Sequence, residues 1–410
     1  MSPADLIEFA EAGLVGAVSV AGGASSHAAI VARGLGVPMI AGASPEVLAL
    51  TPGEAAMLDG DSGELVVGGE EVAGGHGGAS VREVADDDGQ LAATVRTTDG
   101  REVVVLCNVA SAVETRRGLA AGAAGVGLLR TELPYTQAAD WPTLQQQQAQ
   151  LGPILALLAG RIATVRLLDF SGDKIPPFLA TAAGARGDGA STPGGGSATE
   201  LSLPAGAGLA ALLEHPTALA DQLRAMLDSG RDARLGVLIP MVSSLREVSR
   251  VREVLAKTAA ALGVAVPPLG IMVELEGTAE NAGSFAGAVD FFSIGTNDLT
   301  GDVLGLGRRD QAAGPALAAH PRVLALVKGV AEAGAEAGIT VSVCGDSAAD
   351  ARVLPLLIGA GVRTVSVPAA RVATVRSWIS NLNFLVCKEL TERALQASSA
   401  AEVWDLVPAL

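Results

Sequence analysis

Eight short apolar, β-branched runs recur between residues 101 and 370, at 103–107, 125–129, 163–168, 235–240, 269–273, 289–294, 340–343 and 364–367. Their hydrophobicity is continuous rather than alternating, which is the pattern of strands buried on both faces of a parallel sheet. Helix-capable stretches rich in Ala, Leu, Glu and Arg separate most of them. Eight strand–helix units over roughly 300 residues predict an α/β fold, a (β/α)8 TIM-like barrel occupying 101–410. A doubly wound open sheet is the alternative topology. The gap between the third and fourth runs holds ARGDGASTPGGGSATE, a low-complexity insertion near 181–205 that reads as a disordered or mobile loop.

The first 68 residues read as a separate compact unit: a helix over 3–12, a strand over 14–20, a Gly-rich loop, a helix to about 33 and short strands near 55–58 and 64–67. Gly- and acid-rich sequence without apolar periodicity follows, so 69–100 is expected to be a flexible linker. The net charge of −16 argues against a nucleic-acid or anionic-membrane partner. Apolar residues are interrupted by Gly and charge, leaving no run long enough to span a bilayer. The three cysteines, Cys107, Cys344 and Cys387, are far apart with no metal-type spacing, which fits a reducing cytoplasm.

Within the small unit, AGGASSHAAIVAR (21–33) sets His27 at the start of a helix-capable stretch. Gly22 and Gly23 allow close backbone approach, and Ser25 or Ser26 can cap the first turn. Free N–H groups and partial positive charge at that helix start suit a phosphoryl group beside the imidazole. A largely neutral imidazole can act as a nucleophile without an activating base.

In the barrel region, charged or reactive residues follow the apolar runs repeatedly. The second run leads to Arg130-Thr131-Glu132, and the third carries Arg166 and Asp169. The fifth ends at Glu274, the sixth leads to Gly295-Thr296-Asn297-Asp298, and the seventh to Cys344-Gly345-Asp346. Barrel enzymes place their chemistry at these strand ends. Carboxylates, arginines and one thiol on a common rim describe a site for a divalent cation and a phosphorylated anionic substrate.

Both regions resemble the phosphoenolpyruvate-utilising family, which includes Enzyme I of the sugar phosphotransferase system and pyruvate phosphate dikinase. The 21–33 stretch matches the phosphohistidine pattern GG-x-[ST]-S-H-x-[AS]-I-x-AR and continues through GLGVPMIAG. GVGLLRTE, VRLLDFSGDK, GIMVE, DFFSIGTNDLT and VCGD follow in family order, and the likeness is nearest to Enzyme I. The resemblance implies a small swivelling phosphohistidine domain ahead of the barrel and phosphoryl transfer from phosphoenolpyruvate to His27 with release of pyruvate. It implies Mg2+ held by Glu274 and Asp298, and a substrate bound by Arg130, Arg166, Asn297, Arg308 and Lys174. It gives Cys344 the protonation of the enolate carbon. A protein acceptor, an HPr-like carrier, and a homodimer formed through the barrel are further implications.

Several features depart from the family pattern. The sequence starts at MSPADL, past the helical carrier-docking domain and the first swivel strand of Enzyme I. Leu201–Leu212, LSLPAGAGLAAL, stands where the family has an Asn-Pro-x-Leu-Gly-x-Arg-x-x-Arg segment, and it contains no arginine. Gly301-Asp302 replaces a Gln–Tyr pair, and Asp346 replaces a glutamate. These departures keep two other readings open: a phosphoenolpyruvate-binding regulatory module without turnover, and one half of a split Enzyme I- or dikinase-like system.

Overall fold

The computed structural model describes residues 14–20, 37–51, 53–54, 56–59, 64–67, 94–170, 176–179, 207–306 and 314–407, together with Leu6, Phe9 and Ala32. Two compact units divide the chain, Met1–Val84 and Ala85–Leu410. In the first, β1 (Ala17–Ser19) pairs in parallel with β2 (Met39–Ala41), and β3 (Ala56–Asp59) pairs antiparallel with β4 (Glu64–Val67). Leu6, Ala17, Ala32 and Val37 form its buried cluster, with Leu14 and Met39 packed against it. His27 and the low-complexity insertion lie outside the described residues.

The second unit is built on β5 (Thr94–Arg96), β6 (Glu102–Val109), β7 (Gly125–Leu129), β8 (Ile162–Arg166), β9 (Arg234–Ile239), β10 (Leu269–Val273), β11 (Phe291–Ile294), β12 (Thr340–Val343) and β13 (Thr364–Pro368). Strands β6 to β13 run parallel, each beside the next, and β13 pairs back onto β6 through Val365↔Val105 and its neighbours. That pairing closes the sheet into an eight-stranded barrel and removes the open-sheet alternative. All eight apolar runs are strands. The ninth strand, β5, lies antiparallel on the first half of β6. It corrects the linker boundary: residues 94–96, expected to be flexible, form part of the barrel sheet.

Strand parity decides what enters the barrel. On β6, Val103, Val105, Cys107 and Val109 join the large core beneath the helices, which leaves Leu106 and Asn108 on the opposite face. On β10 the outward set is Leu269, Ile271 and Val273, so Gly270, Met272 and Glu274 point inward. The same alternation turns Arg166, Ser293, Cys344 and Ser366 inward, because Val165, Ile294, Val343, Val365 and Val367 all belong to the outer core. Inside, Leu128, Leu238, Met272 and Cys344 form a separate cluster against Phe291. The barrel is therefore a packed core whose last inward layer is polar.

The surrounding helices have sequence-encoded starts. Ser111 caps the helix Ala112–Ala120 by accepting from the Glu114 N–H at 3.2 Å. Capping boxes open Leu144–Leu155, with Thr143 and Gln146, and Leu245–Leu262, with Ser244 and Glu247. Among the described residues, no helix is long and apolar enough to cross a membrane.

Candidate active site

At the C-terminal rim, the centre of the site is a buried charge cluster. Arg166, on the last inward position of β8, donates from Nη2 to Glu132 Oε1 at 2.9 Å and reaches Asp169 Oδ2 from Nη1 at 3.2 Å. The Arg166 and Glu132 side chains are 6% and 0% exposed. Burial pulls the guanidinium pKa down, but the carboxylates of Glu132, Asp169 and Glu274 outweigh it and hold the pKa above the usual arginine value. Arg166 is thus an inward, ion-paired residue of the rim.

Glu274, 1% exposed, accepts from the Met241 N–H through Oε1 at 2.6 Å. Met241, just past β9, has φ 51°, and among the described residues it alone is a non-glycine with positive φ. This left-handed turn aims its amide at the carboxylate; such local strain is held in place by its surroundings. Burial, then the nearby charges of Asp298 and Asp169, push the Glu274 carboxyl well above the ordinary carboxylate range. Glu274 Oε2 and Asp169 Oδ1 are buried without a hydrogen-bond partner. An orphaned Glu274 oxygen within electrostatic reach of the Asp298 carboxylate is the kind of donor that a divalent cation satisfies. Asp298 lies in the first turn of the helix Thr296–Leu304, which starts directly after β11. Among the described residues, no three His, Cys, Asp or Glu side chains gather into a ready cage. A pair of carboxylates completed by water and substrate oxygens suits Mg2+ rather than a cation that needs an all-protein shell.

Cys344 follows β12 and is 3% exposed, its thiol 3.5 Å from the Ile294 carbonyl oxygen. Burial pushes the thiol up to about 11; the Ser293 hydroxyl, Arg166 and Arg130 pull it down and Glu274 raises it. At neutral pH the group is a thiol, able to give a proton rather than act as a nucleophile. Arg130, directly after β7, is half-buried, and its charge acts on both Cys344 and Glu114.

Asn297, in the first turn of the helix Thr296–Leu304, and Asp346, just past β12, are both exposed and bonded to each other. The structure thus brings Arg166, Glu274 and Cys344 into mutual electrostatic reach, with Asp298 acting on Glu274 and Arg130 acting on Cys344. Arg308 and Lys174 lie outside the described residues, as does His27.

Other rim residues escaped the motif reading. Gln222, fully buried, projects from the helix Pro216–Ser229 between two strand ends. It accepts from the Leu168 N–H at 3.0 Å and donates to Thr131 Oγ1 at 3.2 Å, while Thr131 donates to the Arg166 carbonyl at 3.0 Å. One outer helix thereby ties together the segments that carry Arg130 and Arg166. A glutamine set among Leu219, Leu223 and Met226 on an otherwise apolar helix face is the signal that marks it. Asn108 and Ser366 are likewise polar residues at inward positions of apolar strands. Trp141, Phe170 and Phe178 pack with ring centroids 5.0–6.0 Å apart, and Phe170 directly follows Asp169.

The family model described as PEP-utilising enzyme, PEP-binding domain matches residues 85–384, and that described as PEP-utilising enzyme, mobile domain matches residues 1–63. A multiphosphoryl transfer protein of Xanthomonas campestris is 32% identical over 98% of this chain and 47% of its own length. Phosphoenolpyruvate-protein phosphotransferases of Staphylococcus carnosus and Haloferax volcanii are 31% and 32% identical, each over 99% of this chain and 70% of the relative. The chain spans about half the length of the multiphosphoryl transfer proteins it matches. With a barrel rim that gathers buried carboxylates, an arginine and a protonated thiol, and with the two family regions covering most of its length, the chain belongs to the PEP-utilising enzymes.

Proposed function

We propose that this chain is an Enzyme I-like phosphotransferase: it takes the phosphoryl group of phosphoenolpyruvate onto His27, releases pyruvate, and passes the group to a protein acceptor such as an HPr-like carrier. The observation that carries this reading is the surplus of buried carboxylate around Arg166 and Glu274, beside a thiol kept protonated. In the same reading, 1–68 is the swivelling phosphohistidine domain, 101–410 holds the substrate, and two copies pair through the barrel.

Glu274 and Asp298 would hold Mg2+, which when bound neutralises charge on the substrate oxygens. Arg130, Arg166, Arg308 and Lys174 bind the phosphate and carboxylate of the substrate. Arg166, whose Nε is buried without a partner, keeps positive charge at the cluster where negative charge accumulates during transfer. Asn297 donates a hydrogen bond to the substrate once its amide turns from Asp346. Transfer of the phosphoryl group leaves the enolate of pyruvate. The Cys344 S–H bond then breaks as a C–H bond forms at the methylene carbon, the enolate collapses to the ketone, and the thiolate recovers its proton from solvent.

Incubation with radiolabelled phosphoenolpyruvate and Mg2+ tests the reading. The expected result is an acid-labile, base-stable phosphoprotein in the parent and none in His27→Ala; label persisting on that variant removes the role of His27. The arginine-free stretch 201–212 favours a second reading, a regulatory module that binds phosphoenolpyruvate without turning it over. Binding measured by calorimetry with no pyruvate release selects that one.

A further inference from the structure

We infer that Asn108 is the positioning residue for the Cys344 thiol, acting through the Cys344 carbonyl and braced by Ser366; the inference rests on the reading of Cys344 as proton donor. The β12–β13 ladder ends at Val343↔Val365, so on that side Cys344 stands one residue past the end of the pairing. Its N–H is held by the Ile294 carbonyl at 3.0 Å. Its carbonyl accepts from Asn108 Nδ2 at 2.8 Å, reached across 236 positions of sequence. Asn108 Oδ1 in turn accepts from Ser366 Oγ at 2.6 Å.

All three residues are buried, in a layer otherwise lined by Leu128, Leu238 and Met272. The room for the Ser366 hydroxyl comes from β7. A Cβ on Gly127 would stand 2.5 Å from Ser366 Oγ. The β6–β7 register also skips Gly127, passing from Cys107↔Val126 to Asn108↔Leu128. Such irregularities re-aim side chains beside active sites. Strand ends β6, β7, β12 and β13 thus cooperate in one polar chain whose last bond lands on the residue bearing the thiol.

A satisfied buried hydrogen bond adds little net stability, and an apolar side chain of the same shape fills such space about as well. What the chain contributes is direction. With both its N–H and its carbonyl held, Cys344 keeps a fixed Cα–Cβ vector, and χ1 is the freedom left to the thiol. Removing the Asn108 amide releases the peptide between Cys344 and Gly345 and lets that vector swing. Misplacement of a reacting group by about 1 Å costs on the order of 100-fold in rate.

The test follows the reverse of the protonation step on the full-length chain, with pyruvate and Mg2+ in heavy water. Cys344 first loses its own proton to solvent; a methyl C–H bond then breaks, its electron pair forms the enolate, the thiolate takes the proton, and a deuteron returns after exchange with solvent. NMR reads the loss of the methyl proton signal. Asn108→Ala is expected to slow exchange by about 10- to 100-fold while phosphoenolpyruvate affinity stays within about twofold. Asn108→Asp, which when ionised still accepts from Ser366 but cannot donate to the Cys344 carbonyl, is expected to fall equally. Adding Asn108→Ala to Cys344→Ala is expected to cost nothing more, since a positioning residue has nothing left to position. If Asn108→Ala does not fold, Ser366→Ala carries the same double-variant comparison. Parental exchange in the Asn108 variants, or additive losses in the double variant, overturns the inference and leaves the proton-donor reading standing. A parent that shows no exchange, or Cys344→Ala at the parental rate, overturns the proton-donor reading itself.

Discussion

Asn297 and Asp346 exchange two hydrogen bonds across the barrel rim: Asn297 Nδ2 donates to Asp346 Oδ2 at 2.9 Å, and the Asp346 N–H donates to Asn297 Oδ1 at 3.0 Å. Both faces of one amide are thereby committed to one residue, in segments that carry the proposed substrate donor and follow the proposed proton donor. Substrate binding through Asn297 must compete with the Asp346 carboxylate. Asp346→Ala removes that competitor and a negative charge near an anionic ligand, while the bond from the Asp346 N–H remains. A hydrogen bond of about 0.5–1.5 kcal/mol predicts a KM for phosphoenolpyruvate lowered by roughly 2- to 10-fold. Steady-state kinetics check this, and an unchanged or higher KM rejects the competition.

Arg166 sets a larger energy. Its guanidinium is the buried counter-charge for Glu132 and Asp169. Arg166→Leu leaves those carboxylates and Glu274 uncompensated inside the barrel, a loss of about 3–5 kcal/mol for a broken buried pair. Urea unfolding of the variant is expected to show a midpoint lowered accordingly. Part of the loss should return at acid pH, where the stranded carboxylates take up protons.

The eight strands were legible because a parallel strand covered on both faces is apolar along its whole length, and the runs recur with helix-capable stretches between them. β5 escaped because three residues, Thr94–Arg96, carry no periodicity and owe their strand form to β6. The motif residues at strand ends were visible as charge after apolar runs. Their engagement was not, since Arg166 binds to Glu132 from 34 positions away and Asn297 is occupied from 49. Asn108 and Ser366 were readable in principle: strand parity sets both on the inward face, where a polar residue in an apolar run requires a partner. Met241 carried no such sign, because its left-handed turn is fixed by the Glu274 carboxylate rather than by its own side chain.

Space inside the barrel makes a separate prediction. A Cβ on Gly270 would stand 2.4 Å from the Phe291 ring, which also passes 3.3 Å from the corresponding position of Gly236. Gly270→Ala therefore overpacks the interior, with an expected cost of about 1–3 kcal/mol. Pairing it with Phe291→Leu should recover part of that loss. Chemical denaturation of the two variants decides the matter; equal stability of single and double variants would disprove the clash.

Mg2+ should stabilise the chain in the absence of substrate if Glu274 and Asp298 hold it. A ligand that binds only the native state adds about 2.7 kcal/mol at a hundredfold excess over its dissociation constant. Differential scanning fluorimetry is expected to show a higher Tm with millimolar Mg2+ in the parent and no shift in Glu274→Gln. That variant removes one charge from a carboxylate-rich cluster, so its metal-free Tm should be equal to or above the parent's.

Alkaline stability follows from the cysteines. Burial raises the thiols of Cys107 to about 12 and of Cys344 and Cys387 to about 11, from an ordinary value of 9.0. An acid whose folded pKa is raised binds its proton more tightly in the native state, so unfolding releases protons above pH 9. The stability is fully present below that value and is lost as pH climbs through 11. The Tm is therefore expected to fall between pH 9 and 11 more steeply in the parent than in Cys344→Ala. Between pH 6 and 8, the difference between the two proteins should stay constant, because neither state ionises the thiol there. A pH-dependent difference in that lower window would mean that Cys344 titrates well below its buried value.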